Sequence, residues 1–125
     1  MQKKKNLKEN LIKRLEIDEK KLINIVKSIN QIIKISDPTN KVLNKWKRPN
    51  GLVIQKVTVP IGVIAVIYES RPNVTSDIAS LCFKSGNAVI LRGGSEALNT
   101  NKIISNLFRL SLKNCDVDKN FVQFI

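Results

Sequence analysis

The chain has 125 residues, of which 42% are hydrophobic and 26% are charged, and it contains no histidine. Length and composition are those of one domain that buries a hydrophobic core. A chain without histidine cannot form His-ligated metal sites or Ser–His and Cys–His catalytic pairs. No run of about 18 apolar residues predicts a membrane span, and the basic amino terminus lacks the apolar segment of a secretory signal. We therefore expect a cytoplasmic protein.

The net charge of +12 is concentrated in the first half of the chain. Residues 1–56 carry 15 Lys and Arg against 5 Asp and Glu, whereas residues 57–125 carry 7 against 5. A basic segment can bind nucleic acid. However, Ile, Lys and Asn, whose codons are rich in A and T, make up 48 residues, so a biased genome would produce the same surface. Aromatic residues are only 5% and form no series for stacking on bases, which disfavours a nucleic-acid-binding module.

The first forty residues predict helices. Residues 1–10 are polar and predict a frayed terminus, and a short helix begins at residues 11–15. Asp18 predicts the N-cap of a second helix that ends near Ile33, before Asp37-Pro38. A basic amphipathic helix can bind a membrane or a partner, but it is more often the solvated side of a core helix. The apolar residues predicted to form its buried face are Leu22, Ile25, Val26, Ile29, Ile32 and Ile33.

A β-hairpin follows the helical segment. Lys41–Arg48 and Leu52–Val59 alternate between apolar and polar residues, with Val42 and Trp46 on the apolar side of the first strand. Pro49-Asn50-Gly51 between them is a strong turn signal.

The second half of the chain reads as strand, helix, strand, helix, strand, which predicts parallel βαβ units. Ile61–Ile67 is apolar and β-branched, as in a strand buried on both faces, and Ala88–Leu91 and Phe121–Ile125 are the other strands. We expect Asn73 or Thr75 to cap a helix that ends near Lys84. We expect Ser95 to cap the next helix, which ends near Asn114. The buried positions predicted for these two helices are Ile78, Ala79, Leu81 and Cys82, then Leu98, Ile103, Leu107 and Leu110.

Two polar loops follow the first two of these strands. Ligands of open parallel sheets bind just beyond the carboxyl ends of the strands, so both loops point to a small-molecule site. Residues 68–73 (YESRPN) supply charge and an amide, but Asn73 can equally cap the helix, and Glu69 and Arg71 can simply pair with each other. Residues 92–96 (RGGSE) offer glycines and hydrogen-bond donors for an anion, but an ordinary strand-to-helix turn has the same composition.

Residues 60–64 (PIGVI), 67–75 (IYESRPNVT) and 81–96 (LCFKSGNAVILRGGSE) resemble the gamma-glutamyl phosphate reductase family, also called glutamate-5-semialdehyde dehydrogenase, of the aldehyde dehydrogenase superfamily. The resemblance covers most of this chain but only about a third of a full family member. It implies a partial Rossmann-like parallel sheet of the aldehyde dehydrogenase type in residues 60–125. Residues 1–59, the helices and the hairpin, would then be part of an oligomerisation region, which implies a homo-oligomer.

The resemblance also implies an activity, the NADPH-dependent reduction of L-glutamyl 5-phosphate to L-glutamate 5-semialdehyde in proline biosynthesis. By this resemblance Asn73 is the oxyanion donor, and Arg92, Gly93, Gly94, Ser95 and Glu96 bind the adenosine ribose of NADP(H), with Arg92 facing its 2′-phosphate. Arg71 is the nearest cation for the substrate. No metal is implied.

The family's catalytic cysteine is missing from this sequence. Cys82 lies on the predicted buried stripe of a helix, and Cys115 lies near a helix carboxyl end, where the helix dipole disfavours a thiolate. The chain is therefore interpreted as an internal part of such a reductase that is not catalytic by itself. A remnant without function is the alternative interpretation.

Overall fold

The computed structural model describes Ile12 and residues 15–125, so the predicted frayed terminus and most of the predicted first helix lie outside the described residues. The described elements are α1 (Glu19–Lys34), β1 (Val42–Lys47), β2 (Val53–Val57), β3 (Val63–Ile67), α2 (Pro72–Lys84), β4 (Ala88–Arg92), a 3-10 turn (Ser95–Ala97), α3 (Leu98–Asn114), a second 3-10 turn (Lys119–Phe121) and β5 (Val122–Phe124). No helix in this part of the chain is long and apolar enough to cross a membrane.

Helix α1 begins where the sequence predicts. The Asp18 side chain accepts a hydrogen bond from the Lys21 backbone N–H, which satisfies one of the unpaired donors of the first turn. The helix packs on α2 through a face that includes Ile25, Ile29 and the buried Ile32. The predicted burial of Leu22, Val26 and Ile33 is wrong, because these side chains are more than half exposed or nearly so. They lie to the side of the α2 contact.

The predicted hairpin is present as an antiparallel pair of β1 and β2. Gly51 has a φ of +87°, the left-handed conformation that the turn requires. The hairpin forms a two-stranded sheet of its own, and Val42 and Trp46 remain 52% and 41% exposed. Its apolar residues therefore contact little of the rest of the described chain.

The parallel βαβ prediction is confirmed. Strands β3, β4 and β5 form one parallel sheet in that order, in register Ile64 opposite Val89 and Val89 opposite Val122. Helices α2 and α3 pack on the same face of this sheet, where the core residues are Ala79, Cys82, Val89, Leu91, Leu112 and Val122. The carboxyl ends of all three strands therefore meet at one edge of the domain.

Strand β3, the first strand of the parallel sheet, differs from its prediction in length and burial. It begins at Val63 rather than Ile61, because Gly62 has a φ of +117° and interrupts the extended backbone. The strand lies at the edge of the sheet, and only the face carrying Ile64 and Val66 meets the helices. Val63 and Ile67 are 66% and 85% exposed, so burial on both faces is wrong for the described part of the chain.

The inward faces of two helices also differ from their predictions. In α2, Ala79 and Cys82 are buried as predicted, but Leu81 is 48% exposed. In α3, all four residues predicted to face inward (Leu98, Ile103, Leu107 and Leu110) are exposed. The buried positions of α3 are instead Asn101, Ser105 and Leu112, so two polar side chains occupy the face that packs on α2 and the sheet.

Candidate functional site

The two polar loops lie side by side, at the carboxyl ends of the paired strands β3 and β4. Ile67 and Arg92 end paired strands and lie opposite each other in the register. Beyond them, the Tyr68 backbone N–H donates to the Arg92 carbonyl at 3.0 Å. The Ser70 hydroxyl then donates to Oε2 of Glu96 at 2.6 Å. The first loop is therefore joined to the second by a backbone bond and by a charge-assisted side-chain bond.

Gly93 and Gly94 allow this close approach. A Cβ atom at Gly94 would lie 2.1 Å from Oγ of Ser70, and one at Gly93 would lie 2.2 Å from Nδ2 of Asn101 and 3.1 Å from the Tyr68 ring. Either Cβ would require a neighbouring side chain to move, the Asn101 amide at Gly93 or the Ser70 hydroxyl at Gly94. These glycines are required first for packing of protein on protein, a role that the sequence analysis did not assign to them.

A buried hydrogen-bond chain lies beneath the loops. Oγ1 of Thr75 donates to Oδ1 of Asn101 at 3.0 Å and is 2.7 Å from the Tyr68 hydroxyl. Because Thr75 has one hydroxyl proton and gives it to Asn101, the Tyr68 hydroxyl donates to Thr75. Thr75 and Asn101 are fully buried. The chain links the end of β3 to both helices.

Sequence reasoning missed Asn101 because it followed the apolar residues of α3. The spacing of Ala97, Asn101, Ser105, Phe108 and Leu112 also fits one helical face, but two of its members are polar. In the described part of the chain, Nδ2 of Asn101 and Oγ of Ser105 are buried without a hydrogen-bond partner. Such groups are rare in folded proteins and mark this face of α3 as specialised.

Asn73 does not cap its helix, and the predicted caps by Asn73 or Thr75 are wrong. The N-cap is Arg71, which makes no side-chain capping bond, and Pro72 occupies the first helical position, where a missing N–H costs nothing. Thr75 is instead committed to the buried chain. Asn73 is exposed and lines a groove between α1 and α2, so its amide is accessible to a ligand.

The cofactor residues predicted in the second loop lie at the carboxyl end of β4. Arg92 is its last residue, and Arg92, Ser95 and Glu96 are exposed. The predicted cap of α3 by Ser95 is wrong, because Ser95 begins a 3-10 turn and α3 begins only at Leu98, after Ala97. Within the described residues no carboxylate lies within ion-pair distance of Arg92, so its guanidinium can accept an anionic ligand.

Arg71 and Glu69 pair with each other. Nε of Arg71 lies 3.2 Å from Oε2 of Glu69, and both side chains are more than half exposed. An exposed pair of this kind stabilises a protein by about 0–1 kcal/mol. Its exchange for a ligand contact would therefore cost little.

The two cysteines differ in their exposure to solvent. Cys82 is buried in the core, and burial raises the pKa of its thiol above its ordinary value. Cys115 is exposed at the carboxyl end of α3. Neither residue lies in the two loops. Within the described residues, no group of three His, Cys, Asp or Glu side chains could hold a metal ion.

No family model matches the chain. A gamma-glutamyl phosphate reductase of Thermoanaerobacter sp. (strain X514) is 50% identical over 122 residues, which are 98% of this chain and 30% of that protein. The gamma-glutamyl phosphate reductase of Clostridium tetani (strain Massachusetts / E88) is 50% identical over 123 residues, 98% of this chain and 29% of the relative.

Solved structures of the same enzyme also match this chain. A crystal structure of gamma-glutamyl phosphate reductase from Thermotoga maritima matches with a TM-score of 0.91 and 44% identity, over 95% of this chain and 29% of that one. This chain is a homologue of part of gamma-glutamyl phosphate reductase. The Saccharomyces cerevisiae reductase matches with a TM-score of 0.82 and 36% identity, over 96% of this chain and 32% of that one.

The resemblance stated from the sequence is thereby confirmed, and so is the α/β fold of these reductases. The chain spans about 30% of the length of the curated reductases it matches. The roles of Asn73, Arg92 and the other predicted site residues stay predictions, because similarity over this part of the reductases does not test them.

Tyr68, the only tyrosine of the chain, provides a test of the buried hydrogen-bond chain. Burial raises the pKa of Tyr68 above its ordinary value of about 10. The folded state thus holds the phenol proton to higher pH than the unfolded state. The stabilisation that this provides is present below pH 10 and is lost as pH rises through the folded-state pKa.

We predict that ultraviolet titration of the phenolate gives a higher midpoint in buffer than in concentrated urea. The Tyr68→Phe variant should lose the signal, and its free energy of unfolding should fall less steeply above pH 10. Equal midpoints in buffer and urea would contradict a buried Tyr68 hydroxyl.

The two thiols should differ in reactivity. We predict that a disulfide reagent at pH 8 modifies Cys115 rapidly and Cys82 at least about tenfold more slowly, because the reactive thiolate is disfavoured by burial. Peptide mapping of the labelled chain measures both rates, and unfolding in urea should make them equal. Faster labelling of Cys82 would show an activated thiol and overturn the view that the chain lacks a nucleophile.

Proposed function

We propose that this chain forms the cofactor-binding and oxyanion-stabilising part of a gamma-glutamyl phosphate reductase. The reaction is the NADPH-dependent reduction of L-glutamyl 5-phosphate to L-glutamate 5-semialdehyde in proline biosynthesis. The observation that carries this proposal is 50% identity over 98% of the chain to proteins of that name. The pairing of the two predicted site loops supports it.

Each part of the site has a distinct role in this proposal. The Asn73 amide donates a hydrogen bond to the substrate carbonyl oxygen as that oxygen becomes negative, a contact whose loss typically lowers a rate about 100- to 1000-fold. Arg92 and Ser95 bind the anionic part of the dinucleotide, with Gly93 and Gly94 keeping the loop close to its neighbour. When bound, NADPH supplies the hydride for the reduction.

The nucleophile in this proposal comes from outside the 125 residues. The thiol of Cys82 is buried and its pKa is raised, which opposes formation of a thiolate. Cys115 is separated from both loops by the length of α3, about 25 Å at 1.5 Å per residue. We therefore propose that these residues bind ligands but do not complete the reaction alone.

Association and location are further parts of the proposal. Residues 1–59 form part of an oligomerisation region and residues 60–125 begin the cofactor domain. The exposed apolar residues of the hairpin, such as Leu43 and Val53, favour contact with another subunit. We place the protein in the cytoplasm.

Arg92 is predicted to select NADP over NAD. A guanidinium can bind a 2′-phosphate with two charge-assisted hydrogen bonds, whereas the 2′-hydroxyl of NAD offers none of comparable strength. Replacement of Arg92 by Gln should weaken NADP⁺ binding by at least about tenfold and change NAD⁺ binding little. Titration calorimetry of both nucleotides on the 125-residue chain measures this difference.

The matched control is Arg48→Gln in the hairpin turn, which removes the same charge from an exposed position outside the site. It should leave both affinities unchanged. If Arg92→Gln weakens NADP⁺ and NAD⁺ equally, Arg92 does not read the 2′-phosphate. If neither nucleotide binds the parent chain, the cofactor role proposed here is wrong.

A further inference from the structure

A groove lies between α3 and β5, the last strand of the described sheet. Its volume is about 270 Å³. The α3 residues that line it are spaced three, four and seven residues apart, so they share one face of the helix. The groove includes neither of the two polar loops. The lining residues that the argument uses are Lys102, Ser105, Asn106, Arg109 and Phe124.

Ser105 supplies a buried hydrogen-bond donor to this groove. The residue is 1% exposed, and within the described part of the chain its hydroxyl has no hydrogen-bond partner. A buried serine in a helix can donate to the carbonyl oxygen four residues before it, as Ser80 of α2 does to Ser76 at 2.8 Å. Burying a hydroxyl without a partner costs free energy. Because Ser105 lines the groove, an acceptor bound there can satisfy its hydroxyl.

Arg109 presents the edge of its guanidinium that binds oxyanions. Nη1 donates to the carbonyl oxygens of Val122 at 2.8 Å and of Lys119 at 3.2 Å, which holds the half-buried side chain against the beginning of β5. Those bonds use the two hydrogens of Nη1, so the donors on Nε and Nη2 are left for a ligand. Nε and Nη2 form a planar fork that matches two oxygens of one anion. No carboxylate of the described residues lies within ion-pair distance of Arg109.

The charge of the groove favours a dianion. Its described lining residues include two cations and no acid. Lys102 lies seven residues before Arg109, about 10 Å along the helix axis, and Asn106 between them offers an amide. Two cations stabilise a phosphate dianion more than a carboxylate, which carries one charge. The groove is larger than a phosphate ion, and the half-buried Phe124 gives an organic substituent an apolar wall.

We infer that this groove binds a phosphate group, either as free phosphate or as the phosphate of a small molecule. Nε and Nη2 of Arg109 hold two phosphate oxygens, and the Ser105 hydroxyl one helical turn away donates to the same group. Lys102 supplies the second positive charge. The inference does not rest on the proposed function, because it uses no residue of the two loops. It gives the chain an anion site in addition to the one proposed at Arg92.

Amide NMR titration of the 125-residue chain with sodium phosphate at pH 8 and constant ionic strength tests the site. Phosphate should shift the amides of residues 102–109 and 119–124, with half-saturation below about 10 mM, whereas sodium chloride should not. Glycerol 3-phosphate distinguishes the two sources of the phosphate group. Tighter binding than that of phosphate would assign the groove to a phosphorylated small molecule, and equal or weaker binding would assign it to free phosphate.

Ser105→Ala separates a ligand-binding role from a structural one. Because the hydroxyl has no protein partner, the variant should be at least as stable as the parent chain in urea, yet it should bind phosphate about three- to tenfold more weakly. Arg109→Lys keeps the charge but removes the fork, so phosphate binding should weaken by about tenfold or more. Arg109 also contacts β5, so Lys102→Gln at an exposed position provides a variant that should fold normally and weaken binding about threefold or more.

Lys27→Gln is the matched control, because it removes the same charge from an exposed position on α1 outside the groove. It should bind phosphate like the parent chain, which separates a site from general attraction by the net charge of +12. Shifts confined to residues 92–96, no saturation up to about 50 mM phosphate, equal weakening by Lys27→Gln and Lys102→Gln, or Ser105→Ala and Arg109→Lys variants that bind like the parent would each overturn the inference.

Discussion

Tyr68, Thr75 and Asn101 come from three different elements, and two hydrogen bonds join their side chains beneath Gly93. Two of these side chains are fully buried, so the hydrogen bonds replace contacts with water that the groups lose on folding. They hold Tyr68, the first residue of the first loop, to both helices, and the Asn101 amide and the Tyr68 ring lie against Gly93 of the second loop. The two loops are also joined directly, by the Tyr68–Arg92 backbone bond and the Ser70–Glu96 bond.

The same constraint explains why both glycines of the second loop are needed. Gly94 lies against Ser70, and Gly93 lies against Asn101 and Tyr68, so each glycine leaves room for a polar side chain of a neighbouring segment. Ser70 then reaches Glu96 and fixes the ends of the two loops. The exposed groups that we propose to bind ligands are therefore attached to a rigid base, which is the arrangement that precise binding requires.

Some structural features that depend on the chemistry of one or a few neighbouring residues were predicted correctly from the sequence. The Asp18 cap and the Gly51 turn depend on single residues with known preferences. Family resemblance predicted which loops carry the site, and both loops lie at the carboxyl ends of parallel strands, as the sequence predicted. Burial was predicted less well, because an apolar residue such as Ile103 is exposed while polar Asn101 is buried. Periodicity identifies a helix face but does not identify the element that covers it.

Several apolar surfaces remain open in the described residues, and they explain the remaining differences. Parallel sheets are usually covered on both faces, yet Val63, Ile67 and Ile125 on one face are 66%, 85% and 62% exposed. The matched reductases are more than three times as long as the matched segment. We expect their remaining residues to cover the corresponding face. The apolar sequence of β3 is that of a strand buried on both faces, and the described residues cover only one of those faces.

A double-mutant cycle between Thr75→Val and Asn101→Leu tests the buried chain most directly. Each replacement keeps the approximate shape but leaves a partner unsatisfied, so each alone should lower the free energy of unfolding by about 1–3 kcal/mol in urea. Because both variants disrupt one network, the double variant should lose less than the sum, with a coupling of at least about 0.5 kcal/mol. Additive losses, or single variants as stable as the parent chain, would contradict the claim that this network holds the site together.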